Sequence, residues 1–268
     1  RLIDFLGQKA LSLGEVQMMI LDEADRMLDM GFLPDVKRII GHTPRNRQSL
    51  LFSATVPPAI ETLSKWMLTD PVTIRIGSGT STADTITHSI YPVDERQKFD
   101  LLLALLDSMN YDSVLIFSRT RHGADKIARA LDKKGRKAGV LHSDRSQRER
   151  EAAMSDFRAG RTRILVATDI VARGIDISGI SHVINYDIPQ HAEDYVHRIG
   201  RTGRAGASGI AITLATRDDA RLVGDIEKLI KKTITLETAE LENDRPRRRR
   251  ETEEAPAAFN EPRPMAAP

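Results

Sequence analysis

The sequence predicts an α/β protein built as two lobes on parallel sheets, and three observations carry that expectation. Apolar runs of strand length alternate with amphipathic stretches at helical spacing, which implies parallel strands with helices on both faces. A segment from Gly77 to Thr87, rich in Gly, Ser and Thr and without apolar periodicity, interrupts the alternation and reads as a linker. The 268 residues, 40% hydrophobic and 29% charged, suffice for a sizeable core in one or two domains.

Taken in order, the strand-like runs are Val16–Leu21, Ser49–Phe52, Val72–Ile76, Val114–Phe117, Ala138–Leu141, Ile164–Ala167, His182–Tyr186 and Gly209–Leu214. Helices are expected over Phe32–Gly41, Ala59–Met67, Lys98–Ser108, His122–Lys134 and Gln147–Arg158, where apolar residues recur every three or four positions. The organisation that follows is a first lobe at 1–76, a linker at 77–88, a second lobe at 89–238 and a tail at 239–268. About three strand candidates in the first lobe are fewer than a doubly wound domain usually carries. Arg1 also falls where a helix is already under way. Both features predict an incomplete first lobe, a piece of a longer protein. The tail turns to Glu, Arg, Pro and Ala, with Arg247–Arg250 followed by three Glu within four residues. Such a composition cannot bury enough surface to offset ordering, so the tail is expected to be disordered.

Composition excludes several classes. Cysteine is absent, which removes disulfide scaffolds, cysteine zinc sites and thiol catalysis. Forty basic residues against 38 acidic give a formal +2, too little by itself to argue for a nucleic-acid partner. Any such argument must come from local patches. No apolar run approaches the roughly 20 residues needed to cross a bilayer, and no signal peptide is visible. A soluble chain without membrane contact is therefore expected, and the absence of cysteine together with the short linker and short tail suits a cytoplasmic protein, expected as a monomer.

The first informative stretch is Val16-Gln-Met-Met-Ile-Leu-Asp-Glu-Ala-Asp25, a strand running straight into three carboxylates. Catalytic groups in α/β sheets belong at the carboxyl ends of parallel strands. There Asp22 suits a Mg²⁺ held through its waters, and Glu23 suits polarising a water that attacks a phosphoryl group. Read alone, such acids are more readily explained as solvated loop residues or a helix N-cap. Further along, His197-Arg-Ile-Gly-Arg-Thr-Gly-Arg204 sets three arginines among two glycines. Guanidinium forks neutralise charge on a transferred phosphoryl group, and glycine permits close backbone approach.

Leu21-Asp-Glu-Ala-Asp-Arg-Met-Leu-Asp-Met-Gly-Phe32 resembles the second motif of the DEAD-box RNA helicases and its continuation. Ser53-Ala-Thr55, Val114-Leu-Ile-Phe-Ser-Arg-Thr120, the Gln147-x-x-Arg150 pair, Ala167-Thr-Asp-Ile-Val-Ala-Arg-Gly-Ile-Asp176 and His197–Arg204 resemble later motifs, in the family's order and spacing. The resemblance runs from about Arg1 to Leu214 and implies two RecA-like domains that close over ATP and grip single-stranded RNA. It implies that Asp22, Glu23, Arg201 and Arg204 are catalytic, the two arginines acting as fingers from the second domain and Asp22 holding Mg²⁺ through water. It implies coupling between domains through Asp25, Ser53, Thr55 and His197, and nucleotide contacts at Gly174 and Asp176. RNA contacts are implied at Arg1, Thr120, Arg121, Gln147, Arg150 and Thr168. Each of these RNA-contact residues, read alone, is more readily a helix-surface or capping group. Aromatic residues make up 4% of the chain, so phosphate-backbone gripping with weak sequence preference is expected in place of base stacking.

Two departures stand out. No Gly-x-x-x-x-Gly-Lys-Ser/Thr loop occurs in the sequence, although phosphate-cradling enzymes of this type need one. The expectation is that an intact parent hydrolyses ATP, whereas this chain alone does not. At Leu141-His-Ser-Asp144 the family usually has Gly in place of Ser143, which crowds the RNA path only if the backbone there is left-handed. A non-catalytic RNA-binding or scaffold module is the main alternative reading. A DNA helicase or nuclease is weaker, since no acidic cluster of two-metal type appears.

Overall fold

The computed structural model describes residues 1–29, 31–75, 86–169, 179–203 and 208–238. The chain divides into two compact units, Arg1–Ser81 and Thr82–Pro268. The tail expected at 239–268 and most of the expected linker lie outside the described residues.

In the first unit the described elements are α1 (Leu2–Gly7), β1 (Met18–Leu21), α2 (Ala24–Asp29), α3 (Leu33–Gly41), β2 (Gln48–Leu51) and α4 (Pro58–Met67). Strands β1 and β2 pair in parallel, Met18 opposite Gln48 through Leu21 opposite Leu51. Prolines sit in the first turns of α3 and α4, where a missing N–H costs nothing. Val36 and Ile40 of α3 meet Ile60, Leu63 and Met67 of α4 under Leu21 and Ala24. Helical spacing thus places one apolar stripe of each helix on the sheet. The run read as a strand at Val72–Ile76 is corrected: residues 72–75 join no ladder, and Val72 is 88% exposed. Its apolar composition is not enough, because a strand exists only where a neighbour takes its hydrogen bonds.

The second unit is a parallel sheet of seven described strands. They are β3 (Ile86–Pro92), β4 (Val114–Phe117), β5 (Ala138–Leu141), β6 (Ile164–Ala167), β7 (His182–Asn185), β8 (Gly209–Ala215) and β9 (Thr235–Leu236). Their spatial order is β5-β6-β4-β7-β8-β3-β9. Five described helices cover it: α5 (Lys98–Ser108), α6 (Arg121–Lys133), α7 (Gln147–Arg158), α8 (Ala192–Ile199) and α9 (Ala220–Ile230). The linker boundary at 88 needs correction, because β3 begins at Ile86 and pairs with β8 from its first residue. Polar His88 and Ser89 between Ile86 and Ile90 hid its alternation.

Every residue of β4, β6 and β7 is buried, as continuous apolar runs demand when helices cover both faces. One face packs Val114, Ile116, Ile164 and Val166 against α5 and α6. The other packs Leu115, Phe117 and Leu165 against Met154 and Phe157 of α7. From β4 the chain leaves through α6 towards β5, while from β7 it leaves through α8 towards β8, on the opposite side. The carboxyl ends of β4 and β7 are neighbours in the sheet, so a crevice opens where their connections diverge, the usual ligand position of an open α/β sheet.

Leu165 has no exposed surface, and it packs so closely over Gly139 that a Cβ there would lie 2.9 Å from its Cδ1. Leu165→Ala should cost about 2–5 kcal/mol of stability, read as a lowered urea midpoint with an unchanged slope.

Candidate functional site

In the first lobe β1 delivers its carboxylates at its carboxyl end. Asp22 is exposed, and its Oδ1 accepts the Glu23 N–H at 2.9 Å. Glu23 has φ +49°, a left-handed conformation that costs a non-glycine residue roughly 1–2 kcal/mol. That turn lets the Ala24 N–H reach the Phe52 carbonyl at 3.0 Å and start α2 directly beneath the acids. Arg26 orients Glu23, its Nη1 donating to Oε2 at 3.1 Å.

Asp25 points the other way and is 5% exposed. Its Oδ2 accepts both the Thr55 N–H and the Thr55 hydroxyl, each at 2.8 Å, and its own N–H donates to Ser53 Oγ at 3.1 Å. Ser53 Oγ in turn donates to the Thr55 carbonyl at 2.7 Å. Burial alone would raise the Asp25 pKa, but hydrogen bonds from the Thr55 side chain and backbone, the Arg26 backbone and Ser53 hold it below the usual carboxylate value. The loop after β2 is thereby tied to the acidic loop after β1 through one carboxylate.

In the second lobe, five of the residues implied as RNA contacts gather at the carboxyl ends of β4, β5 and β6. Thr120 caps α6, its Oγ1 accepting the Gly123 N–H at 2.9 Å, which leaves the hydroxyl proton free to donate outward. Arg121 is exposed and paired with Asp144. Gln147 opens α7, where Arg150 Nη2 donates to its Oε1 at 2.7 Å. Thr168 is buried, and its N–H bonds the Leu141 carbonyl at 3.1 Å, joining the ends of β5 and β6. Ser146 caps α7, and its hydroxyl, then its N–H, then the Arg145 side chain hold the Glu149 carboxyl down at about 2. Ser143 is not among the residues of positive φ, so its backbone does not need glycine's freedom.

Asp125 of α6 anchors this edge from below. His142 Nε2 lies 3.1 Å from its Oδ1, which also receives Arg145. Burial would raise this carboxyl, but the hydrogen bonds from His142 and Arg145 hold it low. Sequence reasoning missed this cluster, and also Lys98, which is buried and lies 2.9 Å from Glu95 Oε2 and 3.5 Å from Asp187 Oδ1.

The arginine motif lies on α8 and the turn after it. Tyr195, Arg198 and Ile199 form the buried face, whereas His197 and Arg201 are partly exposed. Arg198 faces inward to Asp169, which sequence reading also passed over. The signal was present: Tyr195, Arg198 and Ile199 stand at helical spacing on one stripe. Arg201 belongs to a different edge from Thr168, because the Ile180 N–H, two residues before β7 starts, bonds its carbonyl at 3.2 Å. The next residue, Thr202, is buried and donates through its hydroxyl to the Ile180 carbonyl. A Cβ on Gly209 would lie 2.3 Å from Thr202 Oγ1 and 2.5 Å from the Gly203 nitrogen, so only glycine lets that turn approach β8. Arg1 is exposed at the head of α1, its guanidinium 5.8 Å from the centre of the Phe5 ring. Gly174, Asp176 and Arg204 lie outside the described residues.

No group of three or more His, Asp or Glu able to cage a metal occurs among the described residues. A single exposed carboxylate such as Asp22 fits a largely hydrated Mg²⁺ that completes its shell from phosphate oxygens. No helix among the described residues is long and apolar enough to cross a membrane.

Because Asp25 titrates lower folded than unfolded, its stabilisation is present above the ordinary carboxylate range and is lost as pH falls through its folded value. Thr55→Ala removes one of the donors responsible, so acid unfolding of the first lobe should begin at higher pH. Ellipticity followed from pH 6 to pH 2 measures the shift.

Residues 1–63 match the family model described as DEAD/DEAH box helicase, and residues 97–206 match the helicase conserved C-terminal domain. The chain is 42% identical over 232 residues to a DEAD-box ATP-dependent RNA helicase, CshA, of Geobacillus kaustophilus, covering 87% of this chain and 50% of the relative. It is 44% identical over 235 residues to the ATP-dependent RNA helicase DBP2 of Candida albicans, with 86% and 42% covered. The chain thus spans about half the length of the curated relatives it matches. Among solved structures, S. cerevisiae Dbp5 bound to RNA and ADP BeF3 matches with a TM-score of 0.80 at 32% identity, over 90% of this chain and 64% of that one. The E. coli DEAD-box protein SrmB, bound to the regulator of ribonuclease activity A, matches at 35% identity and a TM-score of 0.54, over 57% of this chain and 91% of that one. The two matched domains, in this order and at this identity to named helicases, make the chain a member of the DEAD-box RNA helicase family.

Proposed function

We propose that the whole protein is a cytoplasmic, ATP-dependent RNA helicase that works as a monomer and couples hydrolysis to RNA binding and local duplex separation. The observation that carries this reading is the bonding of Asp25 to both Ser53 and Thr55. It ties a loop bearing Asp22 and Glu23 to a second strand end, as a site that must sense bound nucleotide requires. Bound ATP with Mg²⁺ supplies the phosphoryl group and the charge that both lobes act upon. Asp22 would hold the Mg²⁺ through its waters. Glu23, turned outward by its left-handed backbone and steadied by Arg26, accepts a proton from the attacking water. Arg201 and Arg204 neutralise charge on the phosphoryl oxygens, while Gly174 and Asp176 contact the nucleotide, and His197 links the lobes. The 268-residue chain has no Gly-Lys phosphate loop, so by itself it binds ATP poorly and turns none over.

RNA is gripped through its phosphates by Thr120, Arg121, Gln147, Arg150 and Thr168, with Arg1 contributing from the first lobe. Hydroxyls and guanidinium groups donate to phosphate oxygens without reading bases, so affinity is salt-dependent and tolerant of sequence.

In the whole protein, Glu23→Gln should slow RNA-stimulated ATP hydrolysis by about 10²–10⁴-fold while nucleotide affinity is retained. Wild-type turnover in that variant removes Glu23 from the reaction. Arg150→Ala should weaken binding of unrelated single-stranded RNAs to a similar extent and reduce the slope of log affinity against log salt by about 1. A loss confined to one RNA sequence counts against backbone gripping.

A further inference from the structure

Within the second lobe, one buried side chain joins the RNA edge to the turn that carries Arg201. Arg198 is 2% exposed. Its Nε and Nη2 donate to the two carboxylate oxygens of Asp169, both at 2.7 Å. Its Nη1 donates to Asn185 Oδ1 at 3.1 Å and to the Asp187 carbonyl at 2.7 Å. Its guanidinium carbon lies 4.9 Å from the centre of the Phe117 ring. One planar group therefore touches the carboxyl ends of β4 and β7, which flank the crevice, and the loop just after β6 beside them. Its partners are themselves fixed. Asn185 Nδ2 donates to Thr213 Oγ1 at 3.1 Å, and Asp187 Oδ2 accepts the Ser118 hydroxyl at 3.1 Å and the Arg119 N–H at 2.8 Å.

Two of these contacts lead to residues of the proposed function. Asp169 is peptide-bonded to Thr168, and the Ser118–Arg119 segment held by Asp187 leads directly into Thr120 and Arg121. On the other side, the Arg201 N–H bonds the Arg198 carbonyl at 3.1 Å. Anything that shifts the strand-end loops pulls on a rigid fork at the root of the turn that bears Arg201. Stability alone is a weak reason for such a group, because apolar residues often replace buried ion pairs without loss. A fully engaged guanidinium is instead a register device: it fits one arrangement of three strand ends and resists others.

We propose that Arg198 is a positioning residue that couples RNA occupancy at the carboxyl edge of the second lobe to the placement of Arg201. The inference rests on the ATP and RNA reading given above. Coupling of this kind is a free energy shared by two ligands, so it appears as the factor by which RNA tightens nucleotide binding, and equally the reverse.

The experiment measures the affinity of the whole protein for a non-hydrolysable ATP analogue, with and without a saturating ten-nucleotide oligouridylate. Arg198→Lys keeps the charge but cannot span both oxygens of Asp169 together with Asn185 and Asp187. It should reduce the coupling factor about tenfold or more, while the affinities for each ligand alone stay within about threefold. Asp169→Asn, which leaves Arg198 its Asn185 and Asp187 partners, should act in the same direction, and the double variant should be no worse than either single one. If Arg198→Lys does not fold, Asp169→Asn decides the matter. Retention of the coupling factor in a folded variant overturns the inference. So does parallel loss of both separate affinities together with the unfolding midpoint, which is the signature of a merely structural group. A wild-type protein without any coupling overturns the ATP and RNA reading and this inference with it.

Discussion

A parallel sheet covered by helices on both faces has apolar side chains above and below every strand, so polar chemistry is pushed to the two rims where the chain turns. The second lobe follows this constraint closely. All residues of β4, β6 and β7 are buried, and the hydroxyl, guanidinium and carboxylate groups crowd the loops at their carboxyl ends. Burying such groups requires partners, and the structure provides them as chains of donors and acceptors. Lys98 is closed by Glu95 and Asp187, Asp187 by Ser118 and Arg119, and Arg198 by Asp169, Asn185 and Asp187. The rim is thus held as one hydrogen-bonded layer.

The first lobe solves a smaller version of the same problem. Asp25 is the buried acid and Asp22 and Glu23 the outward ones, although all three belong to one short sequence. The difference comes from the backbone, since the left-handed Glu23 reverses the chain between them. The inward acid organises the Ser53–Thr55 loop, and the outward acids remain accessible to a ligand.

Strands that are apolar throughout were legible in the sequence almost to the residue: Val114–Phe117, Ala138–Leu141 and Ile164–Ala167 occur in the fold with the limits read from composition. Where burial is one-sided the pattern misled. Ile86–Pro92 carries His88 and Ser89 within a strand and was read partly as linker, while Val72 and Ile74 are apolar yet find no ladder. The acids and the Ser-Ala-Thr loop were legible as motifs, but their hydrogen bonding was not, because it depends on pairing β1 with β2 across 30 residues. Arg198 shows the same limit. Its neighbours in the motif mark it as one arginine of three, and only the helical face shared with Tyr195 and Ile199 separates it from Arg201. That separation requires knowing which side of α8 meets the sheet.

The bare backbone at Gly209 has a mechanical meaning. Because Thr202 and Gly203 press onto β8 where a methyl group would collide, the turn that follows α8 is pinned at the amino-terminal rim. The helix itself is gripped by Tyr195 near its middle and by Arg198 one residue before its end. A segment clamped on both sides of Arg201 is a short stiff lever: it tilts as a unit instead of bending, so that a shift at one clamp is carried to the side chain mounted between them.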